Sequence, residues 1–210
     1  MADRAILFID GNNWYHALSK AGVHDLGRLD YAKISQKLVG PRGWVSTRYY
    51  IGRVRQQGNL TLYSNQRAFL ARLAATDPRI SSHLGRLEPR TVKNEAASEL
   101  QRYLFSLKTR IDSQVFQDLM ALAKKHASAS VMVEKAVDVM VAVDMVVAAE
   151  RDELDAAYLL SADGDFTPAV EAVRAAGKKV YAVSPAHGAQ LAASADSFIR
   201  LDPGWFGDCY

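Results

Sequence analysis

The chain reads as an α/β protein, a parallel sheet covered by helices on both faces. Short apolar runs of strand length alternate with segments of helical spacing, the signature of strands buried on both sides. Aspartates stand directly behind two of those runs: Asp10 after the first, and Asp163 and Asp165 after the run that ends near Ser161. In sheets of this kind ligands bind outside the carboxyl ends of the strands.

Taken in order, Ala5-Ile6-Leu7-Phe8-Ile9 is too short for a helix and ends in Asp10-Gly11-Asn12-Asn13, so it reads as a buried strand followed by a turn. Residues 14–20 and 31–39 have helical spacing, and Gly40-Pro41-Arg42-Gly43 breaks the chain before a strand at 45–51. Between 53 and 131 the periodicity weakens. Leu62, Phe69, Leu70 and Leu73 suit an amphipathic helix, 84–87 a short strand, and 99–105 and 115–125 two more helices. Residues 135–149 are rich in Val, Ala and Met and apolar around the circumference, which predicts a well-buried helix. A strand at 156–161, a helix at 166–176 closed by Gly177, a strand at 179–183, a short helix at 190–193 and a strand at 198–201 complete the reading.

Bulk properties agree with one domain over residues 1–210, with a helical insertion at about 56–131. Hydrophobic residues make up 49% and charged residues 23%, an ordinary globular balance. No apolar run reaches the ~20 residues of a membrane helix. With Asp3 and Arg4 near the start, no signal peptide is read and a cytoplasmic location is expected. Cys209 is the only cysteine, which excludes an intrachain disulfide and a thiolate zinc site. The five histidines, His16, His24, His83, His126 and His187, show no ligand spacing, and no zinc is expected. Neither phosphate-loop nor dinucleotide glycine spacing follows any predicted strand.

The net charge of +3 hides a division along the chain. Residues 42–135 hold 16 Lys and Arg against 7 Asp and Glu, a net of +9, whereas residues 136–210 hold 5 against 12, a net of −7. Carboxylates attract cations while Lys and Arg draw in a polyanion, so the split suits a metal-dependent protein acting on nucleic acid. Solvated helix surface is the alternative reading.

Carboxylates gathered at one strand-end site repel one another unless a cation neutralises them, and hard oxygen ligands suit Mg²⁺ or Mn²⁺. Asp163-Gly164-Asp165 can aim two carboxylates at one centre, and Asp138 on the long helix can supply another. Taken singly, Asp10 also suits an Asx turn, and Asp163 and Asp165 also suit helix caps.

Phe8-Ile9-Asp10-Gly11-Asn12-Asn13, Lys135-Ala136-Val137-Asp138 continuing to Val143-Asp144-Met145, and Leu160-Ser161-Ala162-Asp163-Gly164-Asp165-Phe166 resemble, in that order, the NYN domain family, a branch of the PIN-like nucleases. Gly177-Lys178-Lys179-Val180 and Ala195-Asp196-Ser197-Phe198 are similar to the family's last strands. The likeness spans residues 4–52 and 133–202. It implies a PIN-like central parallel sheet and a metal-dependent endoribonuclease, with Asp10, Asp138, Asp163 and Asp165 as catalytic metal ligands and Asn13 as their polar companion. Asp144 matches a recurrent aspartate of the family, but six residues are about 240° of helix, so it points away from Asp138 and stands behind the ligands with Ser161. Ala136 and Ala162 occupy positions where the family often has glycine.

For the substrate, Lys135 is placed one helical turn before Asp138, and Arg48, Arg53 and Arg55 leave the second strand near the site. Tyr49 and Tyr50 suit base stacking if exposed, yet strand neighbours face opposite sides, which puts at least one in the core. RNA is the expected partner, with DNA as the alternative. The stripe Val115, Leu119, Leu122 and Ala123 packs internally or against a second subunit. Two competing functions stay open: a catalytically weak RNA- or protein-binding module on the same fold, and an aspartyl phosphatase, which Asn12 disfavours by standing where a second aspartate belongs.

Overall fold

The first strand, β1 (Arg4–Asp10), sits in the middle of a parallel sheet. Helices α1 (Gly11–Ala21) and α2 (Tyr31–Val39) lead from it to β2 (Gly43–Arg53), and α3 (Leu60–Thr76) leads on to β3 (Ile80–Lys93). Then come α4 (Glu95–Ser106), α5 (Ser113–Lys125), β4 (Ser128–Lys135) and α6 (Val137–Glu150). The chain finishes as β5 (Ala156–Leu160), α7 (Thr167–Ala175), β6 (Lys179–Ser184), α8 (Ala189–Ser194) and β7 (Ser197–Arg200). This computed structural model describes residues 3–56 and 59–210. By contact it falls into two units, Met1–Arg86 with Lys135–Tyr210, and Leu87–Glu134.

In the larger unit six strands run parallel in the order β3-β2-β1-β5-β6-β7. From β1 the chain first winds outward through β2 to β3, and later through β5 to β7 on the other side. The reversal makes the gap between β1 and β5 a topological switch point, where open α/β sheets form their ligand crevice. The register aligns Ile9 with Leu160 on β5, and carries Asp10 through Tyr50 on β2 to His83 on β3.

Alternation along β1 explains the two layers of helices. Leu7 and Ile9 join Trp14 and Leu18 of α1, Ile34 of α2 and Leu73 of α3 in one core. Ile6 and Phe8 face the other way, against Val141 and Met145 of α6, Val170 and Val173 of α7, and Leu191 of α8. Each face is therefore covered, which is why the run from Ala5 to Ile9 is apolar without interruption. The smaller unit pairs α4 with α5: Leu104 and Ala123 are buried, Phe105 meets Phe116 edge-on at 6.5 Å, and Gln101 Nε2 donates to the Ala123 carbonyl. Val115, Leu119 and Leu122 of α5 stay exposed. Among the described residues, no helix is long and apolar enough to cross a membrane.

Three expectations need correction. The long helix starts at Val137, not at residue 135, because Lys135 closes β4 and Ala136 takes a left-handed backbone, φ 72°. Lys135 is thus a strand residue rather than a helical turn ahead of Asp138. Nor is that helix buried all round: Val137, Val141 and Met145 face the sheet, while Val139 and Val143 are 64% and 51% exposed, since a helix lying on a sheet buries only one side. Finally, the region at about 56–131 contains strand as well as helix, the expected short strand at 84–87 being the middle of the 14-residue β3.

Ala136 carries strain where glycine would carry none. The left-handed conformation costs a residue with a Cβ about 1–2 kcal/mol, and no side chain caps the helix it opens. We predict that Ala136→Gly stabilises the protein by roughly 1 kcal/mol, a gain of about 2–4 °C in Tm for a domain of this size; an unchanged or lower Tm would show that the strain is relieved elsewhere.

Candidate active site

The acidic site begins with Asp10, the last residue of β1 and the N-cap of α1. It is 3% exposed. One carboxylate oxygen accepts from the Asn13 backbone N–H at 3.3 Å, and the other accepts from Ser161 Oγ at 3.1 Å. Ser161, fully buried just after β5, in turn accepts from the Asp163 N–H at 3.1 Å. The Asn13 side chain makes a second tie, its Oδ1 accepting from the Ala162 N–H at 3.1 Å. These bonds stitch the loop after β1 to the loop after β5 across the switch point. Beyond them Asp163 caps a short 3-10 turn, Gly164–Phe166, by accepting from the Asp165 N–H at 3.0 Å.

Gly11 lets the helix start so close to the sheet. A Cβ there would stand 2.6 Å from the Tyr50 carbonyl oxygen and 2.6 Å from Tyr49 Cε1, closer than atoms pack. Glycine immediately after Asp10 therefore fixes how deeply the carboxylate sits.

Electrostatics bring the fourth aspartate into the group. Burial raises the Asp10 carboxyl to about 6, with repulsion from Asp138 and Asp163 adding to it and the bonds from Asn13 and Ser161 opposing it. Asp138, in the first turn of α6, is also raised, by desolvation first and then by Asp163 and Asp165. Asp10 thus feels the charges of Asp138 and Asp163, and Asp138 those of Asp163 and Asp165, while Asp138 and Asp165 remain open to solvent.

The other named residues divide. Asp144 accepts from Tyr50 Oη at 2.7 Å and lies 4.0 Å from His83 Nδ1, with the His83 ring stacked on Tyr50 at 4.7 Å. Burial holds His83 below its ordinary pKa, against the pull of the Asp144 carboxylate. Sequence spacing did not single out this trio, because only strand pairing places Tyr50 and His83 side by side. Tyr49 and Tyr50 are both buried, Tyr49 against Tyr31 and Phe69, so neither is placed to stack a base. Arg48 is engaged with Glu153 at 2.9 Å. Arg53 and Arg55, by contrast, are exposed and carry no ion pair among the described residues, and Lys135 is exposed as well.

All the donors in the cluster are hard carboxylate oxygens, which suit Mg²⁺ or Mn²⁺ and not a soft ion. Among the described residues no three His, Cys, Asp or Glu side chains form a ready-made cage. Mg²⁺ does not require one, because it keeps several waters and takes one or two carboxylates directly.

A raised carboxyl makes charge costly in the fold. Asp10 titrates near 6 folded and about 4 unfolded, so the folded state holds the extra proton between those values and loses stability as pH rises through 6. In EDTA, Asp10→Asn should therefore be more stable than wild type above pH 6, by on the order of 2 kcal/mol, and equal to it near pH 4. Thermal melts across pH 4–8 check this, and a variant less stable at pH 8 would show that Asp10 stabilises the metal-free fold.

Residues 4–202 match the NYN domain family model, nearly the whole chain. Among solved structures, the fold is similar to that of a protein of unknown function from Vibrio parahaemolyticus, with a TM-score of 0.58 over 96% of this chain and 94% of that one. At 17% identity that likeness bears on fold alone. No curated protein matches. Parallel sheet, flanking helices and the matched family model together place this chain in the NYN domain family, with a PIN-like nuclease fold.

Proposed function

We propose that the chain is a divalent-metal-dependent nuclease that hydrolyses phosphodiester bonds in RNA. The observation that carries this reading is that Asp10, buried at the switch point of the sheet, is repelled by Asp138 and Asp163, and Asp138 by Asp163 and Asp165. Such crowding destabilises a fold unless a cation resolves it. Those four residues would hold Mg²⁺ or Mn²⁺. When bound, the ion supplies a water of lowered pKa and positive charge at the scissile phosphate.

The chain's own residues do the positioning. Ser161 and Asn13 lock the Asp10 carboxylate and the loop after β5 into one arrangement, so the acids need not reorganise when substrate arrives. Deep placement of Asp10 lowers the local dielectric and strengthens every charge interaction there. Arg53 and Arg55, exposed at the end of β2, with exposed Lys135, are assigned to backbone phosphates of RNA. Arg48 is not, because its guanidinium is already held by Glu153.

Labelled single-stranded RNA, structured RNA and DNA, incubated with Mn²⁺ or Mg²⁺, test the proposal. RNA cleavage is expected, abolished by EDTA and lowered roughly a hundredfold or more in Asp163→Asn. Cutting that persists in EDTA and in the variant would contradict it, and RNA bound without being cut would favour a binding module.

A further inference from the structure

Next to the acidic cluster, the turn Gly164–Phe166, α7 and α8 border an open hollow of about 530 Å³. It meets the cluster at Asp165, and its walls include Thr167, Pro168, Glu171, Gln190 and Ala193. Two polar side chains line it without partners among the described residues: neither the Glu171 carboxylate nor the Gln190 carboxamide makes a side-chain hydrogen bond or ion pair. Thr167 Oγ is buried, closed off from the hollow, with nothing to bond. The amide lies against Gly164, where a Cβ would stand 1.5 Å from Gln190 Oε1. Glycine between the two aspartates therefore leaves the space that Gln190 fills.

The lining says what would fit. No Lys or Arg borders the hollow, and its only charges are carboxylates, so it is not built for a phosphate. A carboxylate accepts hydrogen bonds, an amide both donates and accepts, and Pro168 with Ala193 offers apolar contact to a flat face. A planar heterocycle with an amino group on its edge combines those needs.

We propose that this hollow is a nucleobase subsite for a nucleotide next to the scissile phosphate, favouring an amino-bearing base over uracil. The inference rests on the nucleic-acid reading above and adds the feature of the substrate that is recognised. Cytosine and uracil separate the chemistry cleanly: the rings match in size, but cytosine presents an N4 amino donor where uracil presents a carbonyl oxygen. Facing Glu171, the donor bonds and the carbonyl is repelled. One hydrogen bond to a charged group is worth roughly a factor of ten in affinity.

The test is fluorescence anisotropy of labelled hexanucleotides, all cytidine or all uridine, on the full chain in EDTA at low salt. Cytidine hexamer should bind roughly tenfold more tightly. Glu171→Gln should narrow that gap, while Gln190→Ala, whose amide can serve either base, should weaken both hexamers alike, with circular dichroism melts close to wild type because Glu171 and Gln190 are exposed. Equal affinities, a gap that survives Glu171→Gln, or no binding of either hexamer would overturn the subsite. A cytidine preference in a protein that cuts no RNA would sink the nuclease reading and leave the subsite standing, whereas metal-dependent cutting without any preference would do the reverse.

Discussion

Burial of the Asp10 carboxylate at the end of β1, beside Asp138 and Asp163, is the constraint on which the candidate site depends. Asp10 cannot relax away from the others, because β1 is paired on both sides and buried on both faces. Its two oxygens are held by Asn13 and Ser161, and Ser161 passes the constraint to Asp163. A protein under selection for stability alone would not bury a carboxylate there and raise it to about 6. Burial together with unfavourable charge at one strand end is what the proposed cation site requires, and the sheet around it supplies the stability to hold it.

Much of this arrangement was legible from the residues. An apolar run that shows no alternation requires cover on both faces, and Leu7 with Ile9 against Ile6 with Phe8 meets that requirement through two separate cores. Asp10 and Asp163 fell at strand ends because polar residues after such runs mark where the chain leaves the sheet. That β1 and β5 are neighbours was not in the local pattern, since strand order depends on long-range pairing. The family motifs supplied that link.

What stayed hidden depended on pairing or on backbone conformation. Alanine itself gives no sign of a left-handed backbone, and although the family often has glycine at position 136, the apolar pattern carried the predicted helix back through it to Lys135. Strand alternation put at least one of Tyr49 and Tyr50 in the core, but that both are buried shows only once both faces of β2 are covered. Arg48 looked free, but Glu153, more than a hundred residues away, holds it. The hollow beside Asp165 was equally out of reach, because Thr167, Glu171 and Gln190 meet only when α7 and α8 are side by side.

The central claim is that Asp10, Asp138, Asp163 and Asp165 act as one cation site. Calorimetric titration of Mn²⁺ into the wild type and the five single Asp→Asn variants at positions 10, 138, 144, 163 and 165 tests it most directly. Saturable binding should weaken by roughly tenfold or more at each of the four positions, about 1.4 kcal/mol apiece, while Asp144→Asn, whose carboxylate is held by Tyr50, changes it little. Absence of saturable binding, or equal losses at Asp144 and the four, would contradict the account.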